Sequence, residues 1–424
     1  MSRFDPEADI PDFFPRGVRS GIVDANLIAA RLERIVREMG EGISHTLYRR
    51  ARQAVQRGDR DLLLSDADAH TVLRNLLDER YLPPGRSVSS RTSIDGMPDN
   101  PQDLHRWWSG LSKGEKDEIF RADPFIGNRD GVPQKERNIY NKQNLQRLRR
   151  DAHENAHTDD IEFYDDLDHL LKSQPFLLSH LDEGRRFALS SGNSDYVDNA
   201  IVFLRPAGNF QPLGFAQNAI LQLKQAAGLA DPHALNSVTF WSNYDNPGAI
   251  SEALFPHLAA DGADALRRYH EGLRATHRGL DGDAGTSARL HTTTVGYSYG
   301  SVVAGHAAGG GSSLATDDMI LIGSWGTGAN QVGDLRLTGV EDTAQHIFTG
   351  LAPHDPIRFM PDTHGVMPSD PAFGATNFAT APARDFTTWN LLDHELDNYL
   401  GSANPSSRSI GLIATGHGDR VARM

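Results

Sequence analysis

The chain has no cysteine among its 424 residues, so disulfides, thiol nucleophiles and Cys-based zinc sites are excluded. It has no long apolar run either. Stretches such as Ile201–Leu204 fall far short of the ~20 residues that a membrane-spanning helix requires. Positive charge is in the minority, with 42 Lys and Arg against 56 Asp and Glu and a formal net charge of −14. That balance argues against nonspecific binding to nucleic acid or to anionic membrane surfaces, and leaves room only for a local basic patch. The N-terminus lacks a basic start and an apolar stretch, so no Sec-type leader is read there. The expectation is a soluble, cytoplasmic protein, with export by a route that uses no such leader left open. Also missing are a Walker-type phosphate loop, a Gly-x-Gly-x-x-Gly after a strand and a His-Glu-x-x-His pair. The apolar fraction, 38 %, is modest but fills a core, and the length suggests two domains rather than one.

What is present is concentrated in residues 292–302, Thr-Thr-Thr-Val-Gly-Tyr-Ser-Tyr-Gly-Ser-Val. A β-rich run ends in Gly-x-Ser-x-Gly and leads into small residues suited to a helix. This is the nucleophile-elbow pattern: Gly296 and Gly300 permit a tight strand-to-helix turn, with Ser298 at its apex. The following helix aims its first N–H groups at the place where an oxyanion would form. In a chain with 40 glycines a bare Gly-x-Ser-x-Gly arises easily by chance, so the strand before it and the helix after it carry the specificity.

Apolar periodicity predicts helices over 26–57 and 65–80, and 82–102 reads as a loop or linker rich in Pro, Ser and Arg. Ser112 and Glu115 have capping-box spacing, Trp107 and Trp108 read as core anchors, and a long polar helix is predicted over 134–154. Residues 159–181 read as helical. Strands follow at 186–189, 199–204, 238–241, 290–295, 319–323, 346–349 and 386–389, separated by helical segments at 214–227, 249–277 and 301–308. Such alternation predicts an α/β fold with a mostly parallel sheet from about residue 190 onward. The expected organisation is a helical N-terminal region and linker over 1–102, a helical segment over 103–190 that packs on or lids the rest, and a catalytic α/β domain over 191–424. Asp317 and Asp318 are expected to begin their strand in solvent. Tyr164 and Asp168 have the Tyr-x-x-x-Asp spacing of type VII secretion signals, though about one such pair is expected by chance in this composition.

A serine nucleophile needs a base, and the base an orienting acid; on a strand-to-helix elbow the chain order is serine, acid, histidine. Asp355, in the loop after the 346–349 strand with Pro356 behind it, is the first candidate acid, with Asp362 and Asp370 as rivals. His394 and His417 both follow later segments in suitable loops, and spacing alone does not separate them. The oxyanion would take one N–H from Tyr299 and a second from the turn after the 199–204 strand, at Ala207 or Gly208.

Around this elbow the sequence resembles the actinobacterial α/β-hydrolase family long catalogued as a domain of unknown function, whose elbow reads Gly-His-Ser-Tyr-Gly. Asn243-Tyr244-Asp245-Asn246-Pro247 is similar to its Gly-Tyr-Asp-x-Pro, and Leu321-Ile322-Gly323-Ser324-Trp325-Gly326-Thr327-Gly328 to its Val-Gly-Ser-Pro-Gly-x-Gly. Asp355-Pro356, His364-Gly365 and Asp370-Pro371-Ala372-Phe373-Gly374-Ala375 resemble its Asp-Pro, His-Gly and Asp-Pro-x-Phe-Gly-Ala run, and His394 with Tyr399 its Gly-His-Ser-x-Tyr. Upstream, Trp107-Trp108 and Gly127-Asn128-Arg129-Asp130-Gly131-Val132-Pro133 resemble its Trp-Trp and Gly-Asn-x-Asp-Gly-Ile-Pro blocks. The likeness covers about residues 100–415. It implies an α/β-hydrolase fold, Asp355 as the acid over its rivals, His394 as the base over His417, and an upstream helical block that belongs with the hydrolase. The departures are Tyr297 for His, Trp325 for Pro and Asp393 for Gly, and they bear on substrate more than on chemistry. Tyr297 also resembles the Gly-Tyr-Ser elbows of cutinases and phage mycolyl-ester lysins.

The resulting expectation is a serine hydrolase of esterase or lipase type that needs no metal or organic cofactor. Its ligand is a small-molecule or lipid ester, it binds no nucleic acid and is not embedded in a membrane, and its N-terminal helices are open to a protein partner. Two rivals stand beside it: a partner-binding or effector protein with an inert hydrolase domain, and a thioesterase or peptidase with the same three residues.

Overall fold

The computed structural model describes residues 96–208, 211–277, 289–383 and 391–424. The helices expected over 26–57 and 65–80, and the strand expected over 386–389, lie outside the described residues.

Among the described residues four helices come first. In α1 (Pro101–Ser109) the Asn100 side chain accepts from the N–H groups of Gln102 and Asp103, and Pro101 takes the position where a missing N–H costs nothing. Helix α2 (Lys113–Ala122) opens on the expected capping box between Ser112 and Glu115. Helix α3 (Gln134–Glu154) has the predicted bounds, and α4 (Thr158–Ser173) follows it. The chain then turns to strands β1 (Leu177–Leu181) and β2 (Phe187–Ser190). Residues 177–181, expected to continue a helix, are therefore a strand. Leu-Leu-Ser-His-Leu is too short an apolar run for periodicity to decide, and antiparallel pairing with β2 decides it instead.

The remaining elements are β3 (Asn199–Leu204), α5 (Pro212–Ala230), β4 (Asn236–Ser242), a single turn at Ile250–Ala253, α6 (His257–Thr276), β5 (His291–Tyr297), α7 (Gly300–Ala308), β6 (Asp318–Ile322), β7 (Ile347–Gly350), β8 (Thr376–Asn377), α8 (Leu396–Leu400) and α9 (Pro405–Ala414). They build one eight-stranded sheet in the order β1-β2-β4-β3-β5-β6-β7-β8. Strand β2 is antiparallel to both its neighbours and every other pairing from β4 to β8 is parallel, so the sheet extends back to Leu177 rather than beginning near residue 190. This is the α/β-hydrolase architecture, a mostly parallel sheet flanked by helices.

The inner strands are buried on both faces, which is why β3 reads Asn-Ala-Ile-Val-Phe-Leu without alternation. Ile201, Phe203, Val295, Tyr297, Ile320 and Ile322 face a core built with Ile220 and Leu223 of α5 and Ile410 and Ile413 of α9. Their strand neighbours point the other way. There Thr239 accepts from the Tyr269 hydroxyl (3.2 Å) and Thr294 meets His270 (3.1 Å), both from α6.

Buried hydroxyls tie the upstream block to the sheet. Gln134 donates to Ser179 (2.8 Å), Ser179 pairs with Ser190 (3.1 Å) and Ser190 with Thr239 (2.7 Å), linking α3, β1, β2 and β4. Asn128 bonds both main-chain groups of Leu181, so the Gly-Asn-Arg-Asp-Gly block serves to dock helices on β1. Tyr164 is buried with its hydroxyl on the Asp182 carbonyl, and Asp168 is bonded to Gln146 and Lys172. Both side chains of the Tyr-x-x-x-Asp pair are thus engaged inside the fold. Among the described residues no helix is long and apolar enough to cross a membrane.

Candidate active site

Strand β5 ends at Tyr297, and Ser298 takes φ = 53°, a left-handed conformation that costs a residue with a Cβ roughly 1–2 kcal/mol. The turn is as tight as its sequence implies. A Cβ on Gly296 would lie 2.6 Å from the Ser301 Cα, and one on Gly300 would lie 2.7 Å from the Leu204 carbonyl oxygen. Both positions therefore exclude every other residue. Ser298 itself is partly exposed, while Tyr299 behind it is buried.

Parallel register sets what lies beside the elbow. Leu204 is level with Gly296, Tyr297 with Ile322, and Ile322 with Gly350, so the loops after β3, β5, β6 and β7 leave the sheet at one edge. The loop after β7 carries Asp355, fully buried at the start of a 3-10 turn, Pro356–Phe359. Its Oδ1 accepts from the Ile357 N–H at 2.8 Å, and its Oδ2 accepts from His394 Nδ1 at 2.8 Å and from the Tyr399 hydroxyl at 2.6 Å. Burial by itself raises the carboxyl's pKa. The charge and hydrogen bond of His394, with the Tyr399 and Ile357 donors, outweigh it and hold Asp355 below the usual carboxylate range.

His394 ends a second 3-10 turn, Leu391–His394. Its Nε2 lies 3.1 Å from Ser298 Oγ. The ring sits on Tyr297, centroids 5.4 Å apart, and the Tyr297 hydroxyl donates to the His394 carbonyl. Gly323, at φ = 51°, leaves room for the pair: a Cβ there would stand 3.2 Å from two atoms of the His394 ring and 3.3 Å from Asp355 Oδ2. A neutral imidazole that donates from Nδ1 to Asp355 presents Nε2 as an acceptor to Ser298, the arrangement a proton transfer from serine requires.

The rivals do not join this chain of contacts. Asp362 and Asp370 are exposed, and Asp370 accepts from the Ala372 N–H in its own turn. His417 lies against Asp231, at the end of α5, with 3.6 Å between Nε2 and Oδ2. One expectation is corrected. The Gly208 N–H donates to the Pro247 carbonyl at 2.8 Å, so it is spent inside the fold and does not serve an oxyanion. Ala207 precedes it in the turn that leaves β3 beside the elbow.

The departures from the family pattern also have a structural place. Tyr297 is buried beneath His394 and faces the α5–α9 core, so this departure supports the His394 ring from below. Asp393 is buried and accepts from the His354 N–H (3.0 Å) and the Ala383 N–H (2.8 Å), which ties the His394 turn to the Asp355 loop. Trp325 is buried and donates to the Pro361 carbonyl. Sequence reasoning assigned no role to Tyr399 or Gly323. The only signal was their membership in the resembling segments, because a tyrosine five residues after a histidine has no motif of its own. Among the described residues no group of three His, Asp or Glu is placed to hold a metal ion.

Comparison with known proteins adds a partial family match. Residues 211–364 match the model described as "Alpha/beta hydrolase". An uncharacterized protein of Mycobacterium tuberculosis, Rv2079, is 25% identical over 76% of this chain and 56% of its own length. A second, Mb0988c of Mycobacterium bovis, is 30% identical over 40% of this chain and 53% of its own. The chain thus spans a little over half the length of the curated relatives it matches. Among solved structures, a hormone-sensitive lipase from a metagenome library is similar with a TM-score of 0.32 and 12% identity, over 58% of this chain and 86% of that one. A carboxyl esterase of the fungus Tuber melanosporum gives 0.31 and 12%, over 58% and 87%. The family match runs from the helix after β3 past the Asp355 loop and takes in the whole elbow, and the sheet has the α/β-hydrolase topology.

Proposed function

We propose that the protein is a serine hydrolase that cleaves an acyl or lipid ester, with Ser298 as nucleophile, His394 as general base and then acid, and Asp355 as the carboxylate that orients it. The observation that carries this reading is the unbroken path from Asp355 Oδ2 to His394 Nδ1 (2.8 Å) and from His394 Nε2 to Ser298 Oγ (3.1 Å). The strained serine and the glycines around it support the same reading, since a turn this costly is kept where it presents a reactive group.

Ser298 Oγ attacks the ester carbonyl carbon as its proton passes to His394 Nε2. The negative oxygen of the tetrahedral intermediate faces the N–H of Tyr299, with Ala207 as second donor from the turn after β3. Collapse breaks the bond to the alcohol, which leaves with the proton from Nε2. Water then attacks the acyl-enzyme and gives a proton to Nε2. The carboxylic acid departs and the proton returns to Ser298 Oγ. Asp355 accepts from Nδ1 throughout and never takes the proton. The choice of ester over thioester or amide rests on the family resemblance, because nucleophile and oxyanion donors serve all three.

The test is covalent labelling with a fluorophosphonate, read by intact mass. One adduct on the wild type and none on folded Ser298→Ala is the expected result, and a folded wild type that takes no adduct overturns the reading. Faster turnover of acyl nitrophenyl esters than of matched thioesters and anilides would carry the ester assignment; the reverse order would replace it.

A further inference from the structure

We propose that Tyr399 is a positioning residue for the Asp355–His394 pair, its hydroxyl setting how strongly Asp355 holds the imidazole proton. This rests on the serine-hydrolase reading above and extends it. The Asp355 Oδ2 that accepts from His394 Nδ1 is the same atom that accepts from the Tyr399 hydroxyl, at 2.6 Å. The polarity of that bond is fixed from behind. The Ala352 N–H donates to the Tyr399 oxygen at 3.1 Å, which leaves the hydroxyl proton to point at the carboxylate. Tyr399 is fully buried, and burial with Asp355 beside it pushes the phenol well above its ordinary pKa, so it stays a donor throughout the working pH range.

Two effects follow. With Ile357 N–H on Oδ1 and Tyr399 on Oδ2, both carboxylate oxygens are tied and the group does not rotate away from His394. The second donor also draws charge from Oδ2, so Asp355 stabilises a protonated imidazole less than it would with His394 as its sole partner on that atom. The surroundings are otherwise constant across the substitution proposed below. The nearby titratable or charged groups are Tyr297 on β5, His354 and Arg358 in the acid loop, and Asp393, Glu395 and Asp397 around the base's turn and α8.

The experiment is Tyr399→Phe in the full chain, with the second-order rate of fluorophosphonate labelling measured from pH 5 to 9. The ring and its packing remain and only the hydroxyl goes. Labelling is expected to slow about tenfold, as for loss of a partner that orients a functional group, and the acid limb of the profile to move up by about one pH unit. A labelled wild type whose Phe variant has the same rate and profile overturns the proposal, since packing alone would then account for Tyr399. Should Tyr399→Phe fold poorly, 3-fluorotyrosine placed at 399 keeps the shape and strengthens the donor. The acid limb is then expected to move down, and an unmoved limb counts against the proposal. Failure of the parent reading is distinguishable, because there the wild type takes no label at all.

Discussion

The two edges of the sheet each hold a buried aspartate between proton donors, yet they differ in what stands beside the histidines. At the amino edge, Asp318 accepts from His291 Nε2 at 2.9 Å and from His346 Nδ1 at 2.8 Å, while its neighbour Asp317 meets Thr292 and Arg289. At the carboxyl edge, Asp355 accepts from one histidine and a tyrosine, and that histidine's other nitrogen meets a serine. The amino-edge aspartate spends both oxygens on holding strand ends together, and among the described residues no serine or threonine hydroxyl is hydrogen-bonded to its histidines. A histidine–aspartate pair is therefore ordinary structural currency. What sets the carboxyl edge apart is the left-handed serine beside its imidazole, and an aspartate whose second oxygen is held by a backbone N–H rather than by another histidine.

The largest separation between the edges should come from the histidines. His394→Ala is expected to lower the fluorophosphonate labelling rate by about 10⁴-fold or more, while His291→Ala and His417→Ala leave it unchanged. Equal losses from His394→Ala and His417→Ala would dissolve the distinction.

Gly323→Ala tests the room around the pair. Its Cβ would adopt a left-handed backbone and press on the His394 ring at 3.2 Å, so activity should fall about 10- to 100-fold, as for an ångström-scale misplacement. A fully active Gly323→Ala would mean that the turn holding His394 yields freely.

Exchanging aspartates should separate stability from activity. Asp318→Asn is expected to cost about 1–3 kcal/mol in denaturant unfolding, because two histidines lose a charged acceptor, with labelling unaffected. Asp355→Asn should abolish labelling through the wrong imidazole tautomer.

The smallest effect is in acid. The Asp355 carboxyl is held below the usual carboxylate range, so its contribution is fully present above about pH 4, its unfolded value, and is lost as pH falls through the lower folded value. Wild type should therefore lose more stability than Asp355→Asn between pH 5 and 2. Parallel acid curves for the two would show that the carboxylate's partners do not favour its charged form.

Much of the fold was legible because its signals are local. The capping box at Ser112 and Glu115, the bounds of α3 and the six residues of β3 follow from short-range spacing and burial. The elbow was legible because Gly296 and Gly300 are demanded by contacts that no other residue survives. The strand at Leu177–Leu181 was not, since its identity comes from pairing with β2. Asp317 and Asp318, expected in solvent, are buried at their strand's start because arginine and histidine side chains from other elements cover them. Gly208 looked like an open donor, and only the approach of Pro247 from the loop after β4 occupies its N–H.

By itself, then, the sequence determined that a serine would stand on a strained turn in a mostly parallel sheet, with candidate acids and then His394 or His417 following it in the required order. Glycine placement and strand–helix alternation are properties of neighbouring residues, which sequence carries directly. Which of two histidines meets the serine, which N–H remains available, and that Tyr399 shares the acid's oxygen were decided only by the tertiary structure. Those contacts join residues 39 to 97 positions apart, and only strand register and loop packing determine which of them meet.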